Sequence, residues 1–487
     1  MSINSIIENL IKICSVKHVS NDASVLKTYS SDMSYVEAKA PICVIWPSNA
    51  KKVEKIVKLA NDLNFSIIPI SSGAGPRLHG DTIPQKDNCV VVDLSKMKKI
   101  IKIDKKNRIM MIEPGVTFSE IIPTLEKKDL KMNIPLHPRG SKSVLASALE
   151  REPVTIPKYM WDSSDPLLCT EVIFGTGDLF RTGTAGGPGT IKQQEKAGIA
   201  QVNPMGPTQF SPYRIIQGAQ GSMGVVTWAT IKLEMKPTIQ KVYHIQSDKL
   251  QELLDFQHDL MKYRLCDELL ILNNLNLACL LKQTTQEIND LAKELKKWNL
   301  IYVLGGRGKL ANDKLEYLVG DINDILEEQG LDPSKDKQII NDTDVLRILT
   351  QPDTNSWRMR LKGGHQDIFF LSNFERIPEF VSIMENQNSY DLGVYLQALN
   401  LGTSHHCEFN IYYDPNNVEE SKHVKENFLK VCTELMDAGA FFNRPYGPWA
   451  KEAYERHSAS TQSALKKVKK IFDPNNVLNP GVLCFDD

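Results

Sequence analysis

Residues Ser71 to Gly80 read Ser-Ser-Gly-Ala-Gly-Pro-Arg-Leu-His-Gly. They lie between two apolar runs, Phe65-Ser66-Ile67-Ile68-Pro69-Ile70 and Cys89-Val90-Val91-Val92-Asp93-Leu94. The pattern predicts a strand, a small-residue loop and a second strand. Gly73, Ala74 and Gly75 leave the backbone bare, so consecutive N–H groups can turn inward and hold a phosphate without side-chain collision. The loop points to a diphosphate-bearing ligand; the plain alternative is a turn, the commoner use of such residues. Two nucleotide motifs are excluded: there is no GxxxxGK[ST], and the nearest approach to GxGxxG lacks its strand–loop–helix context. The residues that follow, Asp93-Leu94-Ser95-Lys96-Met97, Ile103-Asp104 and Ile112-Glu113-Pro114-Gly115-Val116, read as short strands and turns rather than a crossover helix.

A chain of 487 residues is too long for one ordinary core, so two domains are the default. Its 41% hydrophobic and 24% charged residues match a globular enzyme, and a net charge of −1 offers no footprint for nucleic acid or anionic membrane. The pairs Lys296-Lys297, Lys466-Lys467 and Lys469-Lys470 read as solvated helix faces. Met1–Val16 has the pattern of a short amphipathic helix, not a secretion signal. No apolar run reaches the ~18 residues of a membrane span. Nine scattered cysteines without a CxxC argue against a zinc ribbon or an iron–sulfur cluster and suit a reduced, cytoplasmic setting.

Along the chain, Ile42–Pro47 reads as a strand and Asn49–Leu63 as a helix with Val53, Ile56, Val57 and Leu59-Ala60 on one face. Thr117–Leu125 reads as a helix despite Pro123. Asp165–Phe174 and Asp178–Thr182 form a hairpin turning at Gly175-Thr176-Gly177, and the stretch from Gly183 to Pro212 is irregular. A second glycine cluster, Gln217-Gly218-Ala219-Gln220-Gly221-Ser222-Met223-Gly224, feeds a strand over Val225–Met235, and Lys236-Pro237 marks a boundary. Beyond it, helices (Asp248–Arg264, Thr285–Trp298, Lys314–Gln329) alternate with strands (Leu269–Asn273, Leu300–Leu304, Asp367–Leu371, Val394–Ala398, His406–Tyr413). That alternation predicts an antiparallel sheet with helices on one face. A helix over Glu419–Ala438 precedes Phe441-Phe442-Asn443-Arg444-Pro445-Tyr446, and the chain closes on Phe472-Asp473-Pro474-Asn475-Asn476-Val477-Leu478-Asn479-Pro480-Gly481.

The ordered set of glycine clusters, Asp93-Leu94-Ser95 with Met97, Glu113-Pro114-Gly115-Val116, Gly221–Thr227 and the terminal Asn479-Pro480-Gly481 resembles one family. It is the FAD-binding superfamily of vanillyl-alcohol oxidase and para-cresol methylhydroxylase, which includes the glycolate oxidase and D-lactate dehydrogenase flavin subunits. The resemblance covers most of the chain. It implies an α+β, two-lobed flavin-binding fold with an antiparallel-sheet cap: residues 1–236 bind FAD, 237–440 form the cap, and 441–487 return to the FAD domain. It implies that Ser72, Gly73, Ala74, Gly75, Pro76 and His79 lie at the FAD pyrophosphate. Gly140, Ser141, Gly221, Gly224 and Val226 would line the path of the adenine and flavin rings, and Asn479 would bring the chain end back to the flavin. Family loops often carry Arg where Ser72 stands, so the diphosphate is expected to rest mostly on backbone. His79 is offset from the pattern of covalent attachment, so non-covalent FAD is expected.

Three clusters are candidates for the substrate side. In Gly402-Thr403-Ser404-His405-His406-Cys407-Glu408-Phe409-Asn410, strand alternation puts His406, Glu408 and Asn410 on one face and His405, Cys407 and Phe409 on the other. His405 or His406 is the candidate base, with Glu408 orienting it; the alternative is a solvent-exposed strand face. Arg444 stands where the aryl-alcohol branch has a Tyr-Arg pair, with Asn443 replacing the tyrosine. Its planar fork suits an anion, and Tyr446 lies beside it. Arg358-Met359-Arg360 with Gly363-Gly364-His365 could bind a carboxylate or make structural ion pairs, and Tyr159, Tyr213 and Arg214 are lesser candidates. No metal ligand set is assigned. The reading is an FAD-dependent oxidoreductase that takes a hydride from the alcohol carbon of a small anionic substrate, a 2-hydroxy acid favoured over a hydroxyaryl alcohol or alkylphenol. The alternative is a flavin-binding electron-transfer subunit. A separate electron acceptor, protein or oxygen, and a homo-oligomer are expected.

Overall fold

The computed structural model describes residues 2–73, 75–160, 165–205, 212–332, 339–387 and 389–485; Ala74 of the glycine-rich loop lies outside them. Short apolar runs build the first sheet. Strands β1 (Val19–Ser20), β2 (Cys43–Ile45), β3 (Ser66–Ile70) and β4 (Cys89–Asp93) lie in the order β1-β2-β4-β3. Both β2 and β3 run parallel to β4. Neighbouring parallel strands need a crossover, and the helix Ala50–Leu63 is part of it. Its first turn is capped by the Asn49 side chain on the Lys52 N–H, and Asn64 ends it in the left-handed region. Its Val53, Ile56, Val57 and Ala60 recur at helical spacing and are buried with β2, β3 and β4. The Ser71–Gly80 loop thus leaves the carboxyl end of a parallel strand, where open α/β sheets bind their ligands.

The second sheet is antiparallel, in the order β5-β6-β10-β8-β9: β5 (Ile100–Asp104), β6 (Ile109–Ile112), β8 (Leu167–Phe174), β9 (Leu179–Arg181) and β10 (Gly224–Lys232). The β8–β9 hairpin turns at Gly177, whose φ of +85° only glycine adopts freely. A ribbon of β7 (Leu130–Lys131) and β11 (Glu234–Met235) flanks this sheet. Met110, Ile112, Val172, Val226 and Ile231 pack beneath the helices Phe118–Glu126 and Val144–Glu150. A capping box between Thr117 and Glu120 anchors the first of these, which runs on through Pro123. The irregular stretch after Gly183 holds a short helix, Ile191–Lys196, started by a Thr190–Gln193 capping box.

The cap is a six-stranded antiparallel sheet in the order β12-β14-β13-β16-β17-β15. Its strands are β12 (Ile239–Ser247), β13 (Glu268–Asn273), β14 (Trp298–Gly306), β15 (Gly364–Ser372), β16 (Asp391–Leu399) and β17 (Ser404–Tyr413). Helices cover both faces, not the one face that alternation predicts. Leu250–Tyr263, Ala311–Gln329, Ile377–Gln387 and Val418–Asp437 bury one face, and Asn274–Leu281, Thr285–Glu294 and Asp342–Thr350 bury part of the other. Asn274–Leu281 is apolar nearly all round, so no polar stripe betrays its period. The helix expected over Thr285–Trp298 stops at Glu294, because Trp298 already belongs to β14. On the second face, β15, β16 and β17 are left uncovered where they meet the first two sheets. The C-terminal segment joins the parts: Phe441 pairs with Leu371 of β15, and Leu478 with Ile67 of β3.

Candidate active site

A cleft of about 1860 Å³, open mouth included, lies between the Ser71–Gly80 loop, the segment from Pro135 to Pro153, the second glycine cluster and the bare face of the cap sheet. Ser72 lines it and accepts the Ser143 N–H at 2.9 Å. Gly75 has φ +89°, and a Cβ there would come within 2.6 Å of the Arg139 guanidinium. Arg139 Nη1 donates to the Pro76 carbonyl at 2.7 Å, while its Nε is buried without a partner among the described residues. A bare loop beside an under-satisfied guanidinium fits a diphosphate. Beside this backbone, expected to carry most of a diphosphate's contacts, the structure adds a cation that reaches the loop from a distant segment. Gly73 packs on Ser95 and Asp93 outside the cleft lining, whereas Pro76 and His79 line it. The His79 ring stacks on Tyr446 at 4.4 Å, and burial pulls its pKa down.

Gly221, Gly224 and Val226 also line the cleft. Gly221 has φ +71°, and a Cβ on it would sit 2.5 Å from Pro69, so the second glycine cluster closes directly onto β3. Gly140 and Ser141 do not line the cleft. The Gly140 N–H donates to the Asp353 carbonyl at 2.6 Å, locking this segment to the cap, and its neighbours Pro138, Arg139 and Lys142 face the cleft instead. Asn479 works from beneath. Its Nδ2 donates to the carbonyls of Asp81 and Gln220, both at 2.7 Å, which staples the two glycine-bearing loops together.

On the cap side, β17 divides its histidines. His405 points into the helix-covered core, where its Nε2 meets Gln257 Oε1 at 3.0 Å, and burial lowers its pKa to about 4. It is a core histidine, so the structure removes it from the candidate bases. His406, Glu408 and Asn410 share the opposite face. Arg358 Nε donates to Glu408 Oε1 at 2.8 Å, Asn410 Nδ2 to the same oxygen at 2.9 Å, and His406 Nε2 lies 3.2 Å from Oε2. Burial pushes the Glu408 carboxyl up, but the Arg358 charge and the His406 and Asn410 hydrogen bonds outweigh it and hold the group well below the usual range. An ionised carboxylate only accepts hydrogen bonds, so it fixes the proton of His406 on Nε2 and leaves Nδ1 with its lone pair. Burial keeps that imidazole neutral despite Glu408. Asp367 extends the network, accepting from His365 Nδ1 and Asn410 Nδ2, both at 2.7 Å.

Arg444 is 7% exposed and faces this cluster. Its guanidinium lies 4.4 Å over the Phe369 ring, and Nη1 reaches the Glu150 carbonyl at 3.4 Å; among the described residues no carboxylate forms an ion pair with it. Tyr446 lines the same wall with its phenol kept protonated, burial and the nearby Glu150 and Asp81 pushing its pKa up. Arg358 lines the cleft; Arg360 instead closes the helix Asn274–Leu281, donating to the carbonyls of Cys279, Leu280 and Lys282 and to Asp353. Sequence reading missed Arg139, Asp367 and Tyr395, and also Lys142, which is clamped between Glu150 at 2.7 Å and Glu152 at 2.6 Å. It missed Asp81 as well, whose carboxyl is pushed up to about 7 by burial and by Glu150 and Asp32. Arg139 reaches its loop across 63 residues of chain, whereas Asp367 meets His365 at an i, i+2 spacing on one face of β15, a local signal that strand alternation carries.

Comparison with known proteins bears on the fold and the cofactor. Residues 41–183 match the FAD binding domain family. The chain is 22% identical to the 4-cresol dehydrogenase [hydroxylating] flavoprotein subunit of Pseudomonas putida, over 94% of this chain and 90% of that one. It is also 22% identical to glycolate oxidase subunit GlcD of Bacillus subtilis, over 99% and 97%. Its fold superposes on the crystal structure of p-cresol methylhydroxylase with a TM-score of 0.84 at 19% identity, covering 99% of this chain and 97% of that one. The fold is therefore that of the p-cresol methylhydroxylase flavoprotein, α+β with an antiparallel cap, and FAD is the cofactor. The chain is an FAD-dependent oxidoreductase.

Proposed function

We propose that the chain oxidises the alcohol carbon of a small anionic substrate, a 2-hydroxy acid, and passes the electrons to a separate acceptor. The observation that carries this reading is Arg444, a buried guanidinium facing the cleft with one long carbonyl bond and a ring face for company. A carboxylate offers it two parallel, charge-assisted hydrogen bonds and fixes the orientation of what it carries. Asn443 replaces the tyrosine that would assist a phenolate, which favours the carboxylate. Ser72, Pro76 and Arg139 would hold the FAD diphosphate, and Gly221, Gly224 and Val226 would lie along its rings. Bound FAD supplies the two-electron acceptor for the hydride of the carbinol carbon.

The protein's own share is orientation and proton removal. His406 lines the space beyond Arg444, not the cleft wall. With Nε2–H directed at Glu408, it accepts at Nδ1 the proton of a substrate hydroxyl held beside Arg444, and the Glu408 carboxylate stabilises the imidazolium that results. Arg358 and Asn410 hold Glu408 in place, as positioning residues. The test is Arg444→Ala: KM for a 2-hydroxy acid should rise by about 100-fold or more, the loss of a charge-assisted bidentate contact, and an unchanged KM would remove the anchor. A hydroxyaryl alcohol is the second reading, favoured by the aromatic wall of Phe369, Tyr395 and Tyr446; it predicts bleaching of the flavin by aryl alcohols alone.

A further inference from the structure

Beyond Arg444 a smaller chamber of about 800 Å³, its opening included, continues from the cleft, and Arg444, Glu152 and Pro153 line both spaces. Three of its lining residues set it apart. Asn400 Oδ1, Ser404 Oγ and Asn443 Oδ1 are each buried from solvent and meet no hydrogen-bond partner among the described residues. Buried polar atoms are nearly always paired, so three neutral orphans around one space mark a place built for a polar occupant. Arg444 and Arg151 bring positive charge to one side of the chamber. Its other titratable groups are engaged: Glu152 is held by Lys142 and by the Ser147 hydroxyl, Asp165 by the Gln217 amide at 2.8 Å and the Leu167 N–H at 3.0 Å, and the neutral His406 by Glu408.

The backbone at the rim is a second, independent sign. Asn400, Leu401 and Gly402 stand in succession at φ +50°, +63° and +79°, and the Leu401 N–H is tied to the Pro157 carbonyl at 3.0 Å. A left-handed leucine is sterically costly, and such strain collects where a site demands a particular backbone. Here it turns the chain between β16 and β17 so that Asn400 and Ser404 both face the chamber.

We propose that this chamber is a subsite for the substrate's tail: the acid anchored on Arg444 continues as an uncharged, hydrogen-bonding chain of hydroxyls that pairs with Asn400, Ser404 and Asn443. The proposal rests on the anionic-alcohol reading and sharpens it. A two- or three-carbon hydroxy acid ends near Arg444 and leaves all three atoms unpaired. A hydroxylated chain donates hydrogen bonds to the amide oxygens and can donate to, or accept from, the Ser404 hydroxyl. A site that pairs a substrate hydroxyl discriminates strongly against the analogue that lacks it.

The FAD-loaded protein, turning over with a dye acceptor, is given both enantiomers of lactate, then threonate and gluconate. A hydroxylated acid is expected to exceed lactate in kcat/KM by about ten-fold or more. Ser404→Ala and Asn400→Gly, the latter keeping a residue suited to the left-handed turn, should each cut the ratio of long-acid to short-acid kcat/KM by about five-fold or more. If one variant fails to fold, the other carries the test. Lactate used as well as the longer acids, or a ratio that neither substitution moves, overturns the tail subsite and leaves the 2-hydroxy-acid reading standing. Oxidation of aryl alcohols with no hydroxy acid accepted overturns both.

Discussion

Replacing Arg358 by Met should strand the Glu408 carboxylate in a buried site with only His406 and Asn410 for partners. The side chains of this pair are 20% and 9% exposed. Exposed ion pairs contribute no more than about 1 kcal/mol, whereas breaking one side of a buried pair costs about 3–5 kcal/mol. With Arg358 partly open to water, the lower end applies, about 3 kcal/mol at pH 7. The pH dependence follows from the direction of the shift. In the native protein the Glu408 carboxyl lies below its unfolded value of about 4.3, so its contribution is present above that pH and is lost only as pH falls through the depressed folded value. Without Arg358, burial is the dominant influence and the folded value rises above the unfolded one. The carboxyl of the variant can then shed its penalty by protonating, so the destabilisation is greatest at pH 7 and shrinks toward pH 4. Adding Glu408→Gln removes the stranded charge and should recover most of the loss. Urea unfolding followed by tryptophan fluorescence is a suitable assay, since the Trp357 ring lies 4.2 Å beneath the Arg358 guanidinium. A cost under about 1 kcal/mol at pH 7, a cost that does not change with pH, or simple additivity in the double variant would refute the reasoning.

Two further outcomes follow from the same network. His406→Asn should lower kcat by about 10²–10⁴-fold. In the native enzyme burial lowers the His406 pKa, so kcat/KM should be level through neutral pH and fall only below about 6.5; the variant should lose that acid limb, and an unaltered pH profile would exclude His406 as the base. Asn479→Ala leaves the Asp81 and Gln220 carbonyls without their donor, at about 1–3 kcal/mol for each buried group. The effect should read out as weaker FAD binding in equilibrium dialysis, about ten-fold or more, whereas FAD affinity equal to that of the native chain would show that the staple does not govern the cofactor site.

Local patterns carried much of this architecture. The small-residue loop after Ile70 and the crossover helix Ala50–Leu63 depend on bare backbone and a 3.6-residue period, both visible within a dozen residues. The two-residue alternation of β17 likewise groups His406 with Glu408 and Asn410. Which face of that strand meets the cleft was not legible, because it is decided by the helix Leu250–Tyr263 packing over His405. Arg358 and Arg360 look alike in sequence, and only the end of the helix Asn274–Leu281 assigns Arg360 to its carbonyls. Around Gly140 the cleft is served by the neighbours Arg139 and Lys142, while Gly140 itself marks the close approach to the cap at Asp353. A cation supplied to the Ser71–Gly80 loop from 60-odd residues downstream leaves no mark in the loop itself, as the Arg139–Pro76 contact illustrates.

The most direct test is anaerobic addition of candidate substrates to the FAD-loaded protein while the visible absorption of the flavin is followed. Bleaching by a 2-hydroxy acid, with the Arg444→Ala variant needing about 100-fold more of it, is the result this account predicts. Bleaching by hydroxyaryl alcohols alone, with Arg444→Ala indistinguishable from the native chain, would contradict it.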